Sequence, residues 1–352
     1  MRRVTTAAMI GAALLLAGCS SSSSTTSSSS STTSSGATAN SAASAAPVTV
    51  RLGFLTNITH ACALVGLKEG FFTKDLGSAG TLKATAFSTG TEETTALLAG
   101  QLDAAYVGPN PAINAWQKSG GSAIKIISGA ATGGASIVVA KGITSASQLK
   151  GKTLATPSLG NTQDVALRAW LKQNGLATTT TGGGDAFIKP TTPNSAAVLE
   201  FESGQIAGGS EPAPYDVEMV KDRGTVLLSE TGVTTLLVVT QTFLAAHPAI
   251  VADLVKAQIQ ANDFIKSSPA AAQADANAEL ASYTGKPLKA SIVAAAFKEI
   301  TFTNDPDASS LTTDASQAVS LGLLKPVNLS GIFDLGPLNT ALAAAGESQV
   351  SS

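Results

Sequence analysis

From Val48 onward the hydrophobic and polar positions follow a repeating pattern. Val48-Thr49-Val50-Arg51-Leu52-Gly53-Phe54 alternates with a period of two, as a strand with one buried face does. A polar stretch, Thr56 to His60, leads into a helical pattern over Ala61 to Glu69, which Gly70 stops. The order then repeats, with a strand over Leu82 to Phe87, a loop Ser88 to Thr91, and a helix over Glu92 to Ala99 that Gly100 ends. Glu92 and Glu93 fall in that helix's first turn, where carboxylates complement the positive end of the dipole. A third strand, Leu102 to Val107, runs into Gly108-Pro109-Asn110-Pro111 and a helix over Ala112 to Gln117. Strand–loop–helix alternation of this kind predicts an α/β fold with a mainly parallel sheet.

A second block has the same grammar. Lys152 to Thr156 reads as a strand, Pro157 to Asn161 as a loop, and Thr162 to Gln173 as a helix that Asn174-Gly175 ends. Asp185 to Lys189 is the next strand, Asn194 to Ser203 the next helix, and a strand over Ile206 to Gly209 enters the proline-rich loop Glu211 to Tyr215. Gly204-Gln205-Ile206 echoes Gly100-Gln101-Leu102, each opening a strand that ends in a proline-rich loop. Two similarly wound lobes follow, and in open α/β sheets ligands bind beyond the carboxyl ends of the strands. Thr234 to Thr240 reads as a β-branched strand crossing back to the first lobe. Helices from His247-Pro248, Ala270 to Tyr283 and Ser291 to Ile300 fill the rest, with a break at Gly285-Lys286-Pro287.

The first 47 residues are of another kind. Arg2 and Arg3 precede an apolar run, Ala7 to Ala17, that is too short to span a bilayer and has the length and flanks of a signal-peptide core. Leu16-Ala17-Gly18-Cys19 resembles a bacterial lipobox, which implies lipidation of Cys19 and anchoring to a membrane outside the cytoplasm. Ser20 to Ser35 is serine and threonine alone, with no large apolar side chain to offset the entropy of ordering. Residues 20–47 read as a flexible tether with an end-to-end distance of roughly 30 Å. The roughly 300 residues that remain suit two lobes.

The chain has 22 basic and 24 acidic side chains; without Arg2 and Arg3 the balance is 20 against 24. No basic face is advertised, which argues against a nucleic-acid partner. An anionic ligand must therefore be held by local geometry. Of the two cysteines, Cys62 is left without a partner if Cys19 carries lipid, so no intrachain disulfide is expected. Cys62 lies two residues after His60, but one such pair does not make a metal site, and a small buried side chain on a helix is the expectation.

The loops at the strand ends carry small and polar residues rather than titratable ones. They are Asn57, Thr59 and His60; Ser88, Gly90 and Thr91; Gly108 and Asn110; Gly133 and Gly134; Asn161, Thr162 and Gln163; and Pro212 and Tyr215. Ser, Thr and Asn are ordinary helix caps, yet the repetition of such loops on two lobes points to a shared anion site built from free amides at helix N-termini. Catalytic motifs are missing from these loops, which hold no nucleophile elbow, no phosphate-cradling glycine loop and no His/carboxylate set of metal-ligand spacing. Gly182-Gly183-Gly184 reads as a flexible connector, and Asp164 and Arg168, four apart on a helix, as a surface pair.

Several segments resemble the substrate-binding lipoproteins of ABC importers in the nitrate/sulfonate/taurine group, most closely the aliphatic-sulfonate branch. They are Ala105 to Asn114, Leu149 to Lys152, Ala155-Thr156-Pro157 on through Leu159 to Arg168, Thr284 to Leu288, and Leu329 to Asp334. The resemblance runs from Val48 to the C-terminus. It implies a type II periplasmic-binding-protein fold, with lobe 1 over 48–135, lobe 2 over 136–235 and a return to lobe 1 over 236–352, after a signal (1–18) and a lipidated tether (19–47). It implies a monomer that delivers a small anion to a permease without cofactor or catalysis. Carried over residue by residue, it places His60, Thr91, Asn110, Gly134, Asn161, Thr162 and Gln163 around the ligand. The chain departs from the family's pattern at Ser210, where relatives carry a large aromatic, and at Ala213, where they carry a carboxylate. A roomier and less charged pocket wall is expected there. Within the same class, nitrate, bicarbonate or a pyrimidine vitamin precursor are alternative ligands. An enzyme on the same fold and a surface adhesion or scaffold protein are the competing classes.

Overall fold

The computed structural model describes residues 46–191 and 193–352. The expected signal, the expected lipidation at Cys19 and nearly all of the expected tether lie outside the described residues. The chain forms β1 (Val48–Leu55), α1 (Ala61–Lys68), α2 (Phe71–Leu76), β2 (Gly80–Phe87), α3 (Gly90–Leu98), β3 (Ala104–Val107), α4 (Pro109–Lys118) and β4 (Ile124–Gly133). It continues through β5 (Ala135–Ala140), β6 (Thr153–Thr156), α5 (Thr162–Gln173), β7 (Phe187–Pro190), α6 (Asn194–Glu202), β8 (Gly208–Pro212), α7 (Tyr215–Asp222) and β9 (Gly224–Ser229). The return comprises β10 (Val233–Thr240), α8 (Gln241–Ala246), α9 (Pro248–Ser267), α10 (Pro269–Thr284), α11 (Ala290–Glu299), β11 (Ile300–Phe302), α12 (Ala308–Ser320) and α13 (Gly336–Ala345).

Two sheets result. The first has the order β11-β4-β10-β3-β1-β2 and the second β7-β6-β8-β5-β9. In the first, β1 runs parallel to β2 and β3, and β10 is antiparallel to β3 and β4. In the second, β6 runs parallel to β7 and β8, and β5 is antiparallel to β8 and β9. Each sheet is thus a parallel trio extended by an antiparallel strand that has just crossed from the other sheet. The chain crosses out between Gly133 and Ala135 and back between Ser229 and Val233, and the two crossings are tied by Gly133 N–H to Gly232 O (2.9 Å) and Glu230 N–H to Ala135 O (2.9 Å).

Burial explains the patterns. Val50, Leu52 and Phe54 of β1 are fully buried, as the period-two alternation requires. All eight residues of β10 are buried, so the strand is covered on both faces, and a continuous apolar, β-branched run is what such a strand needs. Cys62 is buried on α1, and its Sγ–H lies 3.5 Å from the Ala130 carbonyl oxygen. Burial raises its thiol to about 12, which leaves it unreactive. Gly182 to Gly184 form an ordered turn, closed by Thr179 N–H to Gly183 O (2.7 Å) and Gly182 N–H to Thr179 O (3.0 Å), and this replaces the expected flexible connector.

Candidate binding site

A cavity of about 20 Å³ lies where the two sheets face each other. Leu55 at the end of β1 and Asn57, Thr59 and His60 after it reach the cavity, as do Ser88 and Thr89 from the turn after β2 and Gly90 at the start of α3. Gly108 and Pro111 follow β3, and Thr234 comes from β10. From the second sheet come Pro157 and Asn161 to Gln163 after β6, Asn194 after β7 and Pro212 at the end of β8. Every parallel strand of both sheets therefore ends at this cavity, as the strand-end rule requires.

None of the lining residues is Lys, Arg, Asp or Glu. Polarity is set by local hydrogen bonds, and these consume acceptors. Asn57 Oδ1 accepts from the Thr59 N–H (3.0 Å) and hydroxyl (2.6 Å), which leaves Asn57 Nδ2 as the unused donor end of the amide. His60 Nδ1 accepts from the Leu55 N–H (3.1 Å), so the proton of the neutral ring sits on Nε2. Burial lowers His60 to about 3, and the ring stays neutral at any ordinary pH. Thr89 Oγ1 accepts from the Glu92 N–H (3.3 Å) and Asn161 Oδ1 from the Asp164 N–H (2.9 Å), so both residues are N-caps. Asn161 Nδ2 in turn donates to Gln163 Oε1 (3.2 Å), which leaves Gln163 Nε2 as the free end of that amide. With the caps in place, the first-turn N–H groups of Gly90 and Thr91 on α3, and of Thr162 and Gln163 on α5, lack intrahelical acceptors. Backbone N–H groups of Thr59 and Asp164 fix the orientation of the Asn57 and Asn161 side-chain amides. The result is a small, neutral chamber in which side chains and two helix ends present mostly donors.

The loop that carries Asn161 is braced from below. Asp164 and Arg168 are buried, not the surface pair expected from their spacing. Asp164 Oδ2 accepts from Arg168 Nε (2.9 Å) and from the Gly160 N–H (2.9 Å), while Oδ1 accepts from the Thr156 hydroxyl (3.0 Å). Arg168 Nη1 donates to the Thr179 carbonyl (2.7 Å). Four-residue spacing shows that two side chains share a helix face; it does not show whether other parts of the chain cover that face.

The two lobes touch across the cleft. The Thr91 and Ser158 hydroxyls are 3.2 Å apart, and Lys172 Nζ on α5 donates to the Ser320 carbonyl on α12 (2.8 Å). Gly108 on the first lobe faces Thr162 on the second so closely that a Cβ at Gly108 would lie 2.6 Å from Thr162 Oγ1.

Of the residues singled out from the sequence, Asn57, Thr59, His60, Ser88, Gly90, Gly108, Asn161, Thr162, Gln163 and Pro212 line the cavity. Thr91 sits at its rim in the contact with Ser158. Asn110 is buried on α4, its Nδ2 donating to the Asp314 carbonyl (3.3 Å), and its side chain serves helix packing. Gly133 and Gly134 lie at the crossing, both with positive φ (69° and 73°), where a Cβ on Gly134 would meet the Ile300 side chain at 2.4 Å. The Tyr215 hydroxyl donates to the Thr56 carbonyl (3.0 Å), and the ring lines an outer groove instead. Leu55, Thr89, Pro111, Pro157, Asn194 and Thr234 were not anticipated. Asn194 could have been found, since it opens α6 as Asn161 precedes α5; Thr234 lies within a strand and carries no local signal.

The expectation of a roomier wall at Ser210 and Ala213 is not met. Both are fully buried and neither lines the cavity, and Ser210 Oγ donates to Glu230 Oε1 (2.7 Å). Among the described residues no group of three or more His, Cys, Asp or Glu is placed to hold a metal ion, and no helix is long and apolar enough to cross a membrane.

Residues 43–282, more than half of the chain, match the NMT1-like family. Curated protein sequences yield no match. Among solved structures, the alkanesulfonate-binding protein SsuA from Xanthomonas axonopodis pv. citri bound to MOPS is similar at 17% identity, with 82% of this chain and 99% of that one covered and a TM-score of 0.68. The periplasmic nitrate-binding protein NrtA from Synechocystis PCC 6803 is similar at 14% identity, 85% and 89% coverage and a TM-score of 0.71. A mutant of DszB in complex with biphenyl-2-sulfinic acid is similar at 15% identity, 84% and 99% coverage and a TM-score of 0.61. At these identities the likeness establishes the fold, which is that of periplasmic binding proteins.

Proposed function

We propose, from the premise that this chain belongs to the NMT1-like family, that it is the extracytoplasmic substrate-binding component of an ABC importer and captures a small oxyanion-bearing nutrient. One observation carries the reading: local hydrogen bonds occupy acceptors of Asn57, His60, Thr89, Asn161 and Gln163, residues that line the cavity, and leave donor ends unused. Such a chamber favours an anion without a cation to pair with it, because the donors are preorganised and fixed by the fold. The ligand draws the lobes together to the extent that it makes better contacts in the closed form. The lipid on Cys19 would hold the protein beside its permease.

An aliphatic sulfonate is the leading ligand class. The cavity has room for roughly one or two water molecules, so it fits the anionic head and no tail. Ser88 also borders an open groove of about 630 Å³ lined by Ala84, Ala86, Pro193, Tyr215 and Tyr283, which offers an organic tail a way out. The small volume equally favours a second reading, a tail-less oxyanion such as nitrate or bicarbonate. A pyrimidine is disfavoured because no Phe, Tyr or Trp is among the lining residues. An enzyme is disfavoured because His60, the one titratable side chain in the lining, is held neutral with Nδ1 engaged.

Isothermal titration with ethanesulfonate, nitrate, bicarbonate and choline tests the reading. Binding of an oxyanion with no response to choline is expected. Ethanesulfonate above nitrate supports the tail route past Ser88, and the reverse order supports the tail-less ligand. Choline binding, or silence from all three anions, refutes the proposal.

A further inference from the structure

Carboxyl groups flank the crossing segments on both sides, and among the described residues no ion pair is found for Glu211, Asp216, Glu230 or Asp314. On one side lie Glu211 at the end of β8 and Asp216 in the first turn of α7, both buried. Neither oxygen of Glu211, nor Asp216 Oδ2, finds a hydrogen-bond partner. Glu211 stands opposite Ser136 on β5, which stands opposite Ser229 on β9. Asp216 Oδ1 accepts from the Val217 N–H (2.8 Å), and the negative charge of Glu299, the last residue of α11 on the first lobe, acts on Asp216. The carbonyl of that same Glu299 accepts from the Gly134 N–H (2.8 Å) at the crossing.

On the other side is Glu230, which lies on the returning segment and accepts from Ser210. It faces Asp314 of α12, whose Oδ2 is also buried and unpartnered. Asp307, at the start of α12, adds a further negative charge beside Asp314. Helix α5 packs against α12, but its cations are engaged elsewhere, Arg168 with Asp164 and Lys172 with the Ser320 carbonyl. On α7 itself Glu218 adds another acid and Lys221 is exposed, and on α11 Lys298 is exposed. The ion pairs found among the described residues use other carboxylates, namely Asp75, Asp103, Asp164, Asp185 and Glu200.

Both sets pair an acid on the second lobe or the crossing with an acid on the first. We propose that closure of the two lobes is coupled to proton uptake by these hinge carboxyls, so that an acidic exterior favours the closed, ligand-holding form and a rise in pH favours opening. The physical cause is burial without a counter-charge, compounded by like charge across the hinge. Burial pushes Glu230 up to about 7, and Glu211, Asp216 and Asp314 well above their ordinary values. Opening would part α11 from α7 and α12 from Glu230, admit water and restore ordinary acidity. A group whose value is raised in the closed form stabilises that form fully below its ordinary value, and the effect is lost as pH rises through the raised one. For Glu230 that window runs from 4.5 to about 7. Each proton taken up changes the closed-to-open ratio about tenfold per pH unit. The inference requires two lobes that close; it does not require any particular ligand.

The test uses the full chain carrying Cys19→Ser, with spin labels at Thr95→Cys and Leu159→Cys. Both sites are exposed and flank the Thr91–Ser158 contact, and Cys62 is buried beyond reach of the label. Distance distributions are measured without ligand from pH 8 to pH 5. The closed-to-open ratio should rise at least about tenfold per pH unit between pH 7 and pH 5, the share of a single carboxyl. In the Asp216→Asn/Glu230→Gln variant the slope should fall clearly below the parent's, since only Glu211 and Asp314 of the four carboxyls remain to take up protons, and an exposed control, Glu92→Gln, should keep the parent slope. If the double variant does not fold, Glu230→Gln alone, whose amide oxygen still accepts from Ser210, must lower the slope. A pH-independent ratio in the parent, or an unchanged slope in the hinge variants, overturns the proposal.

Discussion

Gly108 offers the sharpest way to separate closure from folding. Its φ is −67° and ψ 157°, ordinary for any residue, so a side chain there brings no backbone strain. A Cβ would nevertheless lie 2.6 Å from Thr162 Oγ1 across the cleft, while its next neighbours, Pro111 Cδ and Thr234 O, stand at an acceptable 3.6 Å. In Gly108→Ala the lobes must separate by about 0.8 Å to reach ordinary contact at 3.4 Å, or Thr162 must turn its hydroxyl out of its place in the site. Overpacking of this kind costs about 1–3 kcal/mol. The cost falls on the closed form alone, so it should appear as a loss of about 5- to 150-fold in ligand affinity. Urea unfolding of the ligand-free protein should change by less than about 0.5 kcal/mol. Thr162→Ala removes the clashing atom. In a double-mutant cycle, Gly108→Ala should therefore cost far less in the Thr162→Ala background. Titration with the best-binding oxyanion measures all four corners. Equal cost of Gly108→Ala in both backgrounds would refute the reasoning.

Three further predictions follow from the same geometry. Asp164→Ala should destabilise the protein by about 3–5 kcal/mol in urea unfolding, because Arg168 is left buried without its carboxylate, whereas Asp164→Leu/Arg168→Met should recover most of the loss. His60 is lowered to about 3 in the folded protein, so its contribution is fully present above pH 6.5 and is lost as pH falls toward 3. Stability curves for the parent and His60→Asn should therefore run parallel above pH 6.5, and below it the parent should lose stability relative to the variant by about 1.4 kcal/mol per pH unit. Gly134→Ala should cost about 1–3 kcal/mol of stability, since φ is 73° and the new methyl would meet Ile300; calorimetry showing an unchanged Tm would contradict the assignment of this glycine to the crossing.

Much of the fold was legible because its signals are local. Glycine stops after α1 and α3, alternation in β1 and the four-residue apolar spacing of α5 are properties of short windows. The site was legible to the extent that it is made of helix caps: Asn161 and Thr162 announce themselves at the start of α5, and Ser88 and Gly90 at the start of α3. What escaped depends on packing between distant segments. Arg168 reads as a surface cation until the Thr179 turn covers it, and Ser210 reads as a pocket wall until Glu230 closes over it. Asn110, between two prolines, looks like a ligand loop, yet α12 arrives some two hundred residues later to claim its amide.

The central claim is that the chamber recognises negative charge through neutral hydrogen-bond donors, with no cation in its lining. Gln163→Glu tests it most directly, because the substitution keeps the side chain's shape and one acceptor oxygen for Asn161 Nδ2 while converting the free donor end into an anionic acceptor. Calorimetric titration with the best-binding oxyanion should show a loss of at least about 100-fold in affinity, with Tm changed by no more than a few degrees. Retained affinity in a folded Gln163→Glu protein would contradict the account.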